Sequence, residues 1–253
     1  MNDSSVTARE GNLIGYNSQK VTELREKISA AGIDLSNRIE EFLYNQIVYP
    51  IGLVWKAPEA KTFFEEFKNR VAGLGPMITE SLEQFRNSIQ TAGDLWAERT
   101  GGERPDLSPS MESIEVNLNI DCIYEKDERG NVYLDANAME DMFAKISDIA
   151  SSLKYDMGSP NVFSYRDEAF ENYVDDIPFL GMEQLATMQT NYSYLGSYVG
   201  KLLENMLTNG EDSLSSKILQ TRQNYIDVAG DAGRIMDDAM SEEAAALRES
   251  RQN

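Results

Sequence analysis

The chain has 253 residues, one cysteine and no histidine, and its 43 acidic residues against 23 basic ones give a formal net charge of −20. This length supports a hydrophobic core, and one cysteine excludes an intrachain disulfide. Without histidine, Ser-His-Asp and Cys-His catalytic sites and histidine-bound zinc are excluded. Because no lysine and arginine cluster accompanies the acidic balance, nucleic acid and anionic membranes are not expected as partners.

Sequence motifs for catalysis or cofactor binding are also absent. No glycine-rich phosphate loop occurs, and the one calcium-loop-like stretch, residues 125–136, has an alanine where the closing glutamate should be. No apolar run is long enough to span a membrane. We therefore expect a protein that is not an enzyme, binds no cofactor or metal and does not insert into a membrane.

Two long amphipathic helices are predicted between residues 21 and 96. Each carries one stripe of apolar residues at steps of three and four, as in a packed helical hairpin. The first stripe consists of Val21, Leu24, Ile28, Ala31, Leu35, Ile39, Phe42 and Ile47. The second consists of Phe64, Phe67, Val71, Leu74, Ile78, Leu82, Phe85, Ile89, Ala92 and Trp96. Residues 73–76 contain two glycines and a proline, which predict a kink or a packing notch in the second helix.

The turn between these helices is short and carries a tryptophan. Trp55 closes the first helix, and Ala57, Pro58 and Glu59 open the second. Proline suits the first turn of a helix because no N–H is needed there, and a glutamate beside it complements the helix dipole.

A linker and a small β-hairpin are predicted at 101–136. Residues 101–110 are rich in glycine, proline and polar residues, which indicates a linker. Apolar residues then alternate with polar ones from Ile114 to Cys122, and a turn-rich stretch leads to a second short strand at 132–134. Because an isolated hairpin is marginally stable, its apolar face should lie on a helix or on another chain. Cys122 is interpreted as a small buried hydrophobic residue.

Helical periodicity returns over 137–247, which we interpret as a second helical region. One predicted helix ends at Asn209 and Gly210, and Asp212 or Ser213 caps the next. Residues 162–177 weakly resemble 54–67, so this region is also interpretable as a degenerate repeat of the first hairpin. The predicted fold is mostly α, with antiparallel helical hairpins at 18–100 and 137–247 forming a four-helix-type bundle around a small β-hairpin insertion.

The Trp55-Lys56-Ala57 turn between two striped helices resembles the Trp-x-Gly (ESAT-like) family of proteins exported by type VII secretion systems. Alanine stands at 57 where that family has glycine. The family's export signal, Tyr-x-x-x-Asp/Glu, has one candidate here, Tyr124 to Glu128. The resemblance implies a hairpin that pairs with a second hairpin and leaves the cell folded, without a cleaved signal peptide.

The resemblance also implies a binding site, formed by Trp55, Lys56, Ala57, Tyr124 and Glu128. These residues would bind a secretion ATPase or a cognate helical protein, with a homodimer as a further alternative. Trp55 has two interpretations, a packed anchor within its own bundle or part of the surface that the secretion motor recognises. The protein would be secreted, or cytoplasmic before export.

Two other functions remain open from the sequence. One is a cytosolic adaptor or chaperone that shields an apolar helix of a partner, a role that adaptable methionine-rich stripes suit. The other is an acidic structural protein of a phage or injection assembly.

Overall fold

A computed structural model describes the backbone of residues 16–107, 109–153 and 182–250, and the side chains of these ranges except those of 182–194 and 246–250. Across this part of the chain the fold is mostly α, with one small antiparallel sheet, which confirms the predicted fold class. No helix in the described ranges is both long and apolar enough to cross a membrane.

The first helical hairpin extends from residue 18 to residue 100. Helix α1 (Ser18–Leu43) continues through a π-helical turn (Tyr44–Val48) into α2 (Tyr49–Val54). The return arm consists of α3 (Pro58–Ala72) and α4 (Leu74–Thr100), and α1 packs along α4. Asn17 starts the hairpin as an N-cap, because its side chain accepts a 3.0 Å hydrogen bond from the Lys20 N–H.

The return arm is interrupted where the sequence predicted a kink or a notch. Helix α3 ends at Ala72, and α4 begins at Leu74, on the other side of Gly73. Gly75, one residue into α4, allows a close backbone approach, because a Cβ there would overlap the Ile114 carbonyl oxygen. The predicted packing notch is therefore present at Gly75, two residues after the interruption at Gly73.

Residues 111–123 lie against the hairpin, but they do not form the strand that their alternation predicted. Ile114, Val116 and Leu118 are buried in the common core, so the apolar face lies on helices as expected. Helix side chains, instead of a neighbouring strand, form hydrogen bonds with part of their backbone. The Ile114 N–H donates to Thr79 Oγ1 (2.8 Å), and the Asn117 N–H donates to Glu40 Oε1 (2.6 Å).

The small sheet joins the turn of the hairpin to the segment after this loop. Strand β1 (Trp55–Lys56) pairs antiparallel with β2 (Tyr133–Leu134), with Trp55 opposite Leu134 and Lys56 opposite Tyr133. The predicted strand at 132–134 is therefore present, but its partner is the tryptophan turn and not residues 114–122. Because residues 111–123 bond to helix side chains, β2 pairs with β1 and not with them.

The second helical region packs on the first through one continuous core. Helix α5 (Ala136–Leu153) contacts α6 (Met182–Thr208) and α7 (Leu214–Ser250), while α2 contacts α5 and α4 contacts α6. Of the two predicted caps for α7, Ser213 is the one used, because its Oγ accepts from the Ser216 N–H at 3.3 Å. The repeat interpretation concerns residues 162–177, which lie outside the described residues.

Candidate functional site

The turn of the hairpin is held in place by backbone hydrogen bonds on two sides. The Ala57 N–H donates to the Tyr124 carbonyl at 3.1 Å, and the Asp135 N–H donates to the Val54 carbonyl at 2.9 Å. Ala57 is extended, with φ −163° and ψ 152°. Any residue adopts this conformation, which explains physically why the turn does not require the glycine of the Trp-x-Gly motif.

Trp55 is an anchor beneath this turn. It is 1% exposed, and its ring lies 6.4 Å from that of Phe63, which in turn contacts Phe64 and Phe67. The indole N–H is buried near the Tyr225 hydroxyl without meeting the geometry of a hydrogen bond. Packing of this aromatic cluster ties the turn to the first three turns of α3.

Lys56 lies above the anchor and joins the turn to the loop that carries the candidate export motif. Its Nζ is 4.7 Å from the centre of the Tyr124 ring, which is cation–π geometry, and it donates to the Cys122 carbonyl at 3.4 Å. Tyr124 is 56% exposed, so its ring is open to a partner while Lys56 fixes its position. The structure therefore brings Lys56, Ala57 and Tyr124 together, with Trp55 directly underneath.

Glu128 lies on the same loop, four residues beyond Tyr124, and is exposed. The end of this loop is closed by Asp127, whose Oδ1 accepts hydrogen bonds from the Arg129 and Asn131 backbone N–H groups at 2.8 Å each. The hydrogen bonds from Asn131, and more weakly those from the backbone of Arg129 and Gly130, lower the pKa of the Asp127 carboxyl, so this closure is made by the charged form.

Of the predicted site residues, Lys56, Tyr124 and Glu128 line a shallow depression of about 660 Å³, which we call the turn surface, whereas Trp55 and Ala57 are buried and do not. Its lining combines cationic, acidic and aromatic side chains in a small area. The lining residues are Lys56, Lys61, Ile123, Tyr124, Glu125, Lys126, Asp127 and Glu128. One ion pair within it joins Lys61 Nζ to Glu125 Oε1 at 3.4 Å. Both groups are about half exposed, so this pair adds little stability, and the charges remain available to a partner.

The loop sits close to the hairpin because of Gly52 in α2. A Cβ at Gly52 would lie 2.9 Å from the Cys122 carbonyl oxygen, so a larger residue would push the loop outward. Cys122 itself is half-buried, and burial raises the pKa of its thiol. A thiol held in its protonated form is a weak nucleophile, in keeping with its interpretation as a packing residue.

Five residues that line the turn surface were not predicted from the sequence: Lys61, Ile123, Glu125, Lys126 and Asp127. Lys61 enters it only because α3 meets the 123–128 loop, and the sequence gives no signal of that contact. The other four lie on the loop itself, beside Tyr124 and Glu128. A long-range contact near the turn was also not predicted. The Tyr225 hydroxyl of α7 donates a 2.6 Å hydrogen bond to Glu59, 166 residues away in sequence.

The turn surface is suited to recognition by contact. It offers an exposed ring, charges of both signs and a backbone beneath them that is held by hydrogen bonds. Among the described residues, no three histidine, cysteine or acidic side chains are close enough to hold a metal ion. No family model matches the chain, and no curated protein or solved structure matches it either.

Proposed function

We propose that this chain is a substrate or a secretion partner of a type VII secretion system, recognised as a folded unit at the turn surface. The observation that carries the proposal is the juxtaposition of the two features that resemble the family's export determinants. The tryptophan turn and the Tyr124–Glu128 motif are far apart in sequence, yet Lys56 Nζ lies 4.7 Å from the Tyr124 ring.

In this proposal Trp55 supports the turn, and the exposed residues contact the partner. Trp55 is buried and holds the turn, whereas Lys56, Tyr124 and Glu128 present their side chains to solvent at least in part. A secretion ATPase would then contact the lysine, the tyrosine ring and the carboxylate, and would depend on Trp55 only through the shape of the turn. Because the turn is already ordered, little entropy is lost when it binds.

Export from a bacterium that carries the secretion system tests this proposal. We expect Tyr124→Ala and Glu128→Ala each to keep the wild-type melting temperature and to reduce the protein in the culture supernatant by about tenfold or more, relative to the cell pellet. Tyr198→Ala and Glu98→Ala are matched controls, since both wild-type side chains are exposed and lie away from the turn surface. Wild-type protein that stays in the cell, or Tyr124→Ala protein exported normally, would contradict the proposal.

Trp55→Ala separates the supporting role from the contacting one. Removing a fully buried indole should lower the free energy of unfolding by about 3–5 kcal/mol, measured by urea denaturation. Lys56→Ala, one residue away but half-buried, should cost less than about 1 kcal/mol and still reduce export. A Trp55→Ala protein of wild-type stability would show that the indole is not an anchor.

A further inference from the structure

The last helix, α7, has one apolar face along most of its length, but only the first part of that face is covered by the fold. Leu214 and Ile218 lie on this face and are fully buried in the common core. Tyr225, two turns later on the same face, is half-buried and reaches Glu59. At 3.6 residues per turn the face continues beyond Tyr225.

Beyond Tyr225 the face is exposed over residues 226–245, a helical stretch of about 30 Å. We call its apolar side chains the exposed stripe. They are Val228, Ala232, Ile235, Met236, Ala239 and Met240. Val228 and Ile235 are each 67% exposed, and a Cβ at Gly230 or Gly233 would have no neighbour within 4 Å. The side chains of this stretch are therefore exposed to solvent in the part of the chain that the structure describes.

The rest of the same stretch is strongly acidic. Its carboxylates are those of Asp227, Asp231, Asp237, Asp238, Glu242 and Glu243. Arg234 is its one basic residue, and its guanidinium is already paired with Asp231 at 2.9 Å. Two copies of this stretch, each with six carboxylates and one guanidinium, would repel each other through their like net charge, which disfavours self-pairing.

We infer that the exposed stripe docks an amphipathic helix of another protein whose flanks are rich in lysine or arginine. Apolar contact along the stripe would supply affinity, and the surrounding carboxylates would select a basic partner and favour its approach. Two methionines in the stripe can adjust to the side chains of that partner. This inference is independent of the secretion proposal, since it concerns a different helix and a different set of contacts.

A designed peptide tests the inference on the full-length protein. The probe is a fluorescein-labelled helix of about four heptads, with leucine at the two core positions and lysine at the flanking ones. Fluorescence anisotropy should show saturable binding that weakens as salt is raised to about 0.15 M. Ile235→Ser should weaken binding by about tenfold or more, and Asp238→Asn should reduce its salt dependence.

Leu219→Ser is the matched control, because Leu219 is an exposed leucine of α7 that lies off the stripe. This variant should bind the peptide as the wild type does. A peptide with glutamate in place of lysine should bind at least about tenfold more weakly. Equal binding of the two peptides, or no effect of Ile235→Ser, would overturn the inference. A dimer in analytical ultracentrifugation that Ile235→Ser dissociates would overturn it too, since a second copy would then cover the stripe.

Discussion

The first hairpin and the last helix carry the same kind of sequence pattern but differ in what covers it. In the hairpin, the apolar residues at steps of three and four are buried almost one for one, from Val21 in α1 to Ile89 in α4. In α7 the pattern is buried up to Ile218 and is exposed beyond Tyr225. Periodicity therefore predicts that a helix is amphipathic. Whether its apolar face is buried depends on what the rest of the chain, or a partner, packs against it.

The largest expected difference in the free energy of unfolding is between a charge placed on the buried face of the hairpin and one placed on the exposed face of α7. Leu82→Asp puts an unpaired carboxylate at a fully buried position of α4, so we expect it to lower the free energy of unfolding by about 3–5 kcal/mol. Ile235→Asp changes a 67% exposed position of α7 and should cost less than about 0.5 kcal/mol. Urea denaturation followed by circular dichroism measures both.

Leu35→Asp serves as a second hairpin variant, because Leu35 is buried in α1 and belongs to the same core. It should be destabilising to a similar degree. If instead Ile235→Asp destabilised the isolated chain by as much as Leu82→Asp, part of the chain would cover the exposed stripe in solution, and the difference between the two faces would disappear.

Glycine-to-alanine substitutions compare the same two regions by adding one methyl group to a closely packed helix and one to an exposed helix. Gly75→Ala would force a methyl group against the Ile114 carbonyl, which should cost about 1–3 kcal/mol. Gly230→Ala adds a methyl group in open space within a helix and should stabilise by about 0.5–1 kcal/mol. Thermal melting of the two variants should therefore move in opposite directions, and equal shifts would contradict the packing difference.

Much of the fold could be predicted from the sequence because its strongest signals are local. The two stripes, the proline at the start of α3 and the cap of α7 each depend on residues within a few turns of one another. The pairing of the sheet could not be predicted in this way. It depends on whether Thr79 and Glu40 satisfy the 111–123 backbone, and those contacts span 35 and 77 residues.

The candidate site shows the same limit. Family resemblance singled out Trp55, Lys56 and Tyr124, and the structure places them together. The sequence left two interpretations of Trp55 open, a packed anchor or part of a recognised surface, and the structure buries it while Tyr124 remains exposed. The sequence did not reveal Lys61 as part of the turn surface, since the pattern contains no signal for a contact between α3 and the 123–128 loop.

The smallest expected effect tests the boundary between the covered and the exposed parts of α7. Tyr225 lies at this boundary and donates a 2.6 Å hydrogen bond to Glu59 Oε1. Burial, then the hydrogen bond to Glu59 and the charge of that carboxylate, raise the pKa of the Tyr225 hydroxyl to about 12. Since the pKa in the unfolded chain is about 10, the neutral hydroxyl stabilises the fold fully below pH 10.

This contribution should be lost as the pH rises from about 10 to about 12, because ionisation then costs less in the unfolded chain than in the folded one. Tyr225→Phe removes the titrating group but leaves Tyr44, whose hydroxyl pKa is raised by burial, in both proteins. Urea denaturation should therefore show a stability gap between wild type and Tyr225→Phe of on the order of 1 kcal/mol at neutral pH that closes towards pH 12. A stability difference that is absent at neutral pH, or that persists unchanged above pH 12, would contradict this role of Tyr225. The covered part of α7 would then end nearer Ile218.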